Sequence, residues 1–438
     1  MKRLAALMIP LALVCLVNEP AYSANRGNHQ LLKKPVLQQD YGNKCYDARI
    51  ILMCLFITLT AALGVDKAMA SDIKIFMCGD VMTGRGIDQV LPHPSDPVIY
   101  ESYLKSARGY VKLAEKANGP IGQPVGFDYI WGDALEELNR AAPHVRLINL
   151  ETSITHSNDY WKGKGINYRM NPKNIASLTT AGVDVCSLAN NHVLDWGYAG
   201  LSETLQSLKK VGITTPGAGQ NLAVAQAPAI ISVSGKSRVL IFAFGLASSG
   251  IPLNWAAEDN KPGVNLLPDM SAESVGRLQR KIQKLKRTGD IVVASIHWGG
   301  NWGYPILREQ TRFAHRLIDE GGVDIIHGHS SHHVKAIEVY RDRLILYGCG
   351  DFLNDYEGIG GYQEFRPDLS LMYFAEVDST EGKLVSLRMI PTRIKRFQVK
   401  RASETEALWL LNTLNREGAP FGTRVVLDKN SRLTLHWK

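Results

Sequence analysis

Four of the twelve histidines fall within the seven residues His327-Gly328-His329-Ser330-Ser331-His332-His333. Imidazoles held this close repel one another once protonated, and a divalent cation that takes their lone pairs removes the conflict. The segment directly follows the apolar run Val323 to Ile326, which reads as a buried strand. The rings therefore fall at a strand's carboxyl end, where open α/β sheets place ligands. An isolated histidine pair would be read as a solvated loop; this density is read as a metal site.

The same arrangement recurs along the chain. Ile73 to Met77 leads into Gly79-Asp80, and Val145 to Ile148 into Asn149-Leu150-Glu151. Val183 to Leu188 leads into Asn190-Asn191-His192 with Asp195 beyond, and Ile291 to Ile296 into His297-Trp298-Gly299. Each run is short, rich in β-branched residues and bounded by turn formers, as buried parallel strands are. Carboxylates, an amide and several imidazoles are thus expected along one edge of one sheet. That mixed oxygen and nitrogen donor set suits Mn, Fe or Zn rather than a thiolate site or an all-oxygen calcium site.

Two such ions roughly 3.5–4 Å apart activate water and stabilise the attacked and leaving oxygens of a phosphate ester. The roles expected are Glu151 as the bridge, Asp80 on one ion, and Asn191 with His297 on the other. His329, with His332 or His333, completes the set. His192, next to Asn191, is expected to stand beside the ions and protonate the leaving group, with Asp195 orienting its ring. Each residue also has a plainer use: Asp80 after Gly79 fits a turn or a cap, and Asn190-Asn191 fits a loop closed by side-chain-to-backbone bonds.

The blocks Gly79-Asp80-Val81-Met82 with Arg85, Asn149-Leu150-Glu151, Ala189-Asn190-Asn191-His192 with Asp195, His297-Trp298-Gly299 and Gly328-His329 carry a family resemblance. Their order and spacing resemble those of bacterial capsule-synthesis proteins of the CapA type, which are associated with poly-γ-glutamate capsule and belong to the calcineurin-like metallophosphoesterase superfamily. The resemblance covers roughly residues 72 to 356. It implies an α/β fold, a four-layer α/β/β/α sandwich with a two-metal site at the strand ends. Gly350-Asp351-Phe352 with Asn354 and Asp355 resembles a further segment of that family, and puts Asp351 near the site without a ligand role. The chain departs from the wider superfamily at three points. Val81-Met82 stands where Asp-x-His would supply an imidazole, Glu151 stands where the bridge is usually aspartate, and the closing histidine block is stretched.

With 438 residues, 45% hydrophobic and 21% charged, the chain has length for one large domain plus accessories. Its net charge is +8, but residues 1–70 hold eight basic against four acidic residues, leaving 42 against 38 in the rest. That balance gives no reason to expect a nucleic-acid partner. Arg388, Arg393, Lys395, Arg396, Lys400 and Arg401 form a cationic run that reads as a solvated strand face, though it would also suit a polyanion. Cys78, Cys186 and Cys349 sit in apolar stretches and read as buried thiols.

Residues 1–70 read as a leader with two signal-peptide-like apolar segments, 71–400 as the CapA-type domain, and 401–438 as a C-terminal helix and tail. Residues 91–126 read as an insertion at the site edge, and 248–268 as a lid or a long surface loop. The expected protein is exported, periplasmic or on the outer face of the inner membrane. It is a metal-dependent hydrolase in capsular polysaccharide or poly-γ-glutamate capsule synthesis, acting on a phosphate ester or anionic polymer, with inner-membrane capsule machinery as a further partner to consider. The alternative is a non-catalytic, membrane-associated component that binds or exports polymer, its metal site vestigial. An amide hydrolase on the polymer is a third reading.

Overall fold

The computed structural model describes residues 72–233 and 237–438; both export-type segments lie outside them. The chain folds as α/β, as expected. Among the described residues a nine-stranded sheet contains Ile73–Val81, Val145–Leu150, Val185–Ser187 and Asp351–Leu353. A six-stranded sheet contains Arg238–Gly245, Ile291–His297 and Ile325–His329.

Alternate residues of each strand serve different cores, because side chains leave a strand on opposite faces. Ile73, Ile75 and Met77 join Val145, Leu147 and Val185 against Val239, Ile241, Ile291, Val293 and Ile325 of the second sheet, in one apolar cluster shared by both sheets. Phe76, Cys78, Ile148 and Cys186 belong instead to a cluster with the helical residues Leu138, Leu178, Leu201 and Leu208. Leu240, Phe242, Val292, Ala294 and Ile326 pack with Val275, Ile282, Phe313 and Leu317, from the amphipathic helices Ala272–Leu285 and Arg308–Asp319. Burial on both faces explains why these runs are continuously apolar rather than alternating. Cys78, Cys186 and Cys349 are free and buried.

Arg341 and Asp342 both adopt positive φ, +47° and +61°. They close a hairpin between Ile337–Tyr340 and Arg343–Leu346, as a primed two-residue turn requires. The 91–126 stretch is less irregular than expected, since it contains the helix Arg108–Asn118. In the 248–268 stretch Trp255 is fully buried, which ties the segment to the core. Ser403 and Glu406 form a capping box on the expected C-terminal helix, Glu404–Gly418. The strands that follow, Thr423–Leu427 and Leu433–Trp437, pair with each other and, through the second, with Leu384–Lys395, so residues 401–438 extend the large sheet. No helix of the described residues is long and apolar enough to cross a membrane.

Gly79 is a point of contact that positions the site. A Cβ there would lie 1.7 Å from the Gly350 carbonyl oxygen, and the next residue, Asp80, donates its N–H to that same oxygen at 2.9 Å. Gly79→Ala should force these backbones apart and lower stability by at least about 3 kcal/mol, the range reserved for disrupted backbone and core sites. Urea denaturation of the variant beside wild type measures this; a loss within about 0.5 kcal/mol would show that the approach is not required.

Candidate metal centre

Donors converge here from the ends of strands in both sheets, not from one sheet edge as expected. Apolar strand runs look alike whichever sheet they join, so the sequence did not distinguish these arrangements. In the large sheet Asp80 stands in register with Asn149 on one side and Asp351 on the other. Its register slips between Met77 and Asp80 on the first side and between Asp80 and Val81 on the second. Such bulges re-aim a side chain, and here they aim a carboxylate between two neighbours. In the second sheet His297 stands opposite His329.

Two groupings share Asp80: Asp80 with His297 and His329, and Asp80 with Glu151 and Asp351. In each, one donor atom per residue lies within 4.8 Å of the others. All five residues are buried. Asp80 accepts from the Asn149 amide at 2.7 Å and the Ser330 N–H at 3.1 Å, and Asn149 in turn accepts from Asn190 at 3.1 Å.

The proton positions on the histidines follow from one carbonyl. His327 Nε2 lies 2.7 Å from the Cys78 carbonyl oxygen, which can only accept, so Nε2 carries the proton and Nδ1 the lone pair. Ser295, 3.2 Å from that Nδ1, donates to it and therefore accepts from His329 Nε2 at 2.9 Å. The His329 lone pair is left on Nδ1, facing His297 Nδ1 at 2.8 Å and Asp80 at 3.9 Å. Partners behind a ligand histidine fix its tautomer in this way.

Beside the cluster, His192 Nδ1 is 2.6 Å from Asp195 Oδ2, and its Nε2 is 3.9 Å from Glu151. Tyr168 stacks on the ring at 3.8 Å and donates its backbone N–H to Asp195 at 2.6 Å. Lys164 Nζ lies 2.6 Å from Asp195 Oδ1 and 2.9 Å from His192 Nδ1. The shorter carboxylate contact takes the Nδ1 proton, so Nε2 presents a lone pair. Burial and, against the pull of Asp195, the Lys164 charge push His192 down to about 4, leaving it neutral at pH 7.

The model of the bacterial capsule synthesis protein PGA_cap family matches residues 74–356. The chain belongs to this family. It is 46% identical over 364 residues to a "Probable polyglutamine synthesis accessory protein" of Mycobacterium tuberculosis, covering 83% of this chain and 96% of that protein. It is 26% identical to the PGA biosynthesis protein CapA of Bacillus subtilis, over 81% of this chain and 82% of that one. Against the capsule biosynthesis protein CapA of Bacillus anthracis the identity is 23%, over 70% and 68%.

In this PGA_cap protein the residue common to both donor groupings is Asp80 rather than Glu151, because its strand lies between the strand that leads into Glu151 and the strand that begins at Asp351. Glu151 sits 3.8 Å from His297 Nε2. Half-buried Asn191 accepts at 3.1 Å from the same Nε2. Asp351, expected without a ligand role, is one of the clustered acids, and His332 pairs with it at 2.9 Å. His333 turns elsewhere. Its Nδ1 reaches the Val334 carbonyl at 3.1 Å, its Nε2 has no partner among the described residues, and its ring packs on Phe365 at 4.7 Å.

Lys164 escaped the sequence reading, and Arg85 was read only as part of the first motif block, without a role. Lys164 arrives on a loop between Gly163 and Gly165, both with positive φ, and its approach to Asp195 is purely tertiary. Arg85, itself at φ +46°, forms a two-pronged pair with Asp355 and donates to Glu101 at 2.9 Å and Tyr110 at 2.8 Å. Left-handed backbone at a non-glycine residue costs of order 1–2 kcal/mol, which this buried network offsets.

The donor set fits a divalent cation. Burial, then the Asp351 charge, pushes Asp80 up to about 7, and burial with the charges of Asp80 and Asp351 also raises Glu151. His297 and His329 are held well below the usual imidazole range by burial, so both are already neutral. Cation binding should therefore displace protons held by both Asp80 and Glu151. Mn²⁺ or Zn²⁺ affinity is expected to rise at least about tenfold per pH unit up to about pH 7. Calorimetry in two buffers of different ionisation enthalpy counts the released protons; affinity independent of pH between about 5 and 7 would contradict the assignment.

Proposed function

We propose that this PGA_cap protein is an exported metal-dependent hydrolase acting in the making or handling of a capsular polymer. We propose also that its two sheets and flanking helices form the four-layer α/β/β/α sandwich of the calcineurin-like metallophosphoesterases. The substrate class is a phosphate ester or an anionic polymer, with inner-membrane capsule machinery as a further partner. The relatives' names, which speak of capsule and PGA biosynthesis, support the pathway. The observation that carries the chemistry is the cluster of five buried donors beside an oriented His192–Asp195 pair.

Asp80, His297 and His329 would hold one ion, and Asp80, Glu151 and Asp351 a second. When bound, the ions supply an activated water and neutralise charge gathering on a phosphate ester. The remaining work falls to the chain's own residues. His192 offers its Nε2 lone pair to a proton and, once loaded, can return that proton to a leaving oxygen. Asp195 fixes the ring and steadies the charge it acquires, while Lys164 disfavours a proton resting there. His192 thus begins as a base, and serves the expected acid role only after taking up a proton.

A second reading, polymer binding or export without turnover, is favoured by one observation. Met82 is buried at the position where the superfamily supplies an imidazole.

The full-length chain loaded with Mn²⁺ should hydrolyse bis(p-nitrophenyl) phosphate. His192→Ala should lower kcat about 10²–10⁴-fold with metal content unchanged, the range typical of losing a general acid–base. Wild type that binds metal yet turns over neither this ester nor poly-γ-glutamate would overturn the hydrolase and leave the binding component.

A further inference from the structure

A 240 Å³ groove reaches the candidate metal centre through His332, the partner of Asp351. Its walls are aromatic: Tyr103, Tyr168, Trp302, Tyr356 and Tyr362, with Ile359 at the rim. Tyr362 stacks flat on Trp302, with ring centres 3.9 Å apart and planes within 7°. Tyr103 is 61% exposed, and Tyr362 and Ile359 are each 46% exposed, a set of large apolar side chains left facing water beside a buried polar cluster. Tyr168 and Tyr356 join hydroxyls at 2.7 Å, so the wall nearest the metal centre is held rigid. The exposed Asn301 amide and the Tyr362 hydroxyl have no hydrogen-bond partner among the described residues and remain free for a ligand.

The groove carries almost no usable positive charge. Arg85 is the one arginine or lysine in its wall among the described residues, and it is spent on Asp355, Glu101 and Tyr110. His332 is spent on Asp351. Four of the six cations in the 388–401 run are paired, Arg388 on Glu376, Arg393 on Glu406, Lys400 on Asp133 and Arg401 on Glu137, and the other two, Lys395 and Arg396, do not line the groove. A chain of carboxylates entering the groove would lose part of its hydration without gaining counter-charge from the walls.

A pyranose ring fits these walls. It has an apolar C–H face that lies on aromatic faces, and a rim of hydroxyls that meets isolated amide and phenol groups. The volume falls below the ~300 Å³ at which pockets enclose a whole drug-sized ligand, so the groove takes a segment of a larger molecule. We propose that this groove holds a sugar ring of the substrate, making the substrate an uncharged sugar segment joined to the hydrolysed ester rather than a bare polycarboxylate. The inference rests on reading the metal centre as the hydrolytic site, but the groove is tested without turnover.

The test is calorimetric titration of the full-length chain in EDTA with chitohexaose, maltohexaose and hexa-γ-glutamate, alongside Tyr362→Ala and Trp302→Ala. Tyr362 is nearly half exposed, so its removal should spare the fold; Trp302, its stacking partner, gives a second probe of the same wall. Binding of at least one neutral hexasaccharide, weakened tenfold or more in both variants, with hexa-γ-glutamate inert, is the expected result. No saccharide binding, saccharide binding unchanged in both variants, or hexa-γ-glutamate binding that either variant abolishes would overturn the proposal. Because no metal is present and no ester is cleaved, failure here leaves the hydrolase reading to its own assay.

Discussion

Three carboxylates, Asp80, Glu151 and Asp351, end buried and within reach of one another, and the remainder of the site is organised around the charge they cannot spread into water. A buried like-charged group either keeps a proton or finds a cation. Here the amide of Asn149 and the backbone of Ser330 stabilise one carboxylate without neutralising the group. The two imidazoles that face it are neutral, and so are donors for a cation rather than counter-charges.

The fold enforces this crowding. Gly79 lets the Asp80 strand touch Gly350, the bulges on either side of Asp80 turn its carboxylate between its neighbours, and the Arg85–Asp355 pair ties the end of that strand to the segment carrying Asp351. From the second sheet, the hydrogen-bond line Cys78–His327–Ser295–His329 sets which nitrogen of His329 faces the acids. That line crosses between the sheets, so sheet packing and donor orientation are coupled. A shift of one sheet against the other would break the Cys78 contact and release the tautomer.

Much of this was legible in the sequence because short apolar runs followed at once by Asp, Glu, Asn or His mark strand ends, and strand ends are where α/β proteins gather polar groups. Asp80, Glu151, His297 and His329 were found that way, as was the His192–Asp195 pair. Sheet membership was not legible, since strand pairing is a long-range choice that a local run does not record. Nor was the separation of His332 from His333, which depends on how the backbone turns at Ser330, a residue with φ +98°. Lys164 gave no local signal because only the folding of its glycine-flanked loop brings it to Asp195. The last strands of the chain were hidden for a related reason: Thr423–Leu427 is half exposed and alternates, so it reads as tail until it pairs.

The central claim is that Asp80 is the shared ligand of a divalent-metal centre built from both sheets. Anomalous diffraction at the manganese edge from crystals grown with Mn²⁺ tests it most directly. The account predicts anomalous density within about 2.0–2.5 Å of an Asp80 carboxylate oxygen, flanked by His297 with His329 or by Glu151 with Asp351. Ordered side chains at these positions with no anomalous density among them, or density only at a site that excludes Asp80, would contradict it.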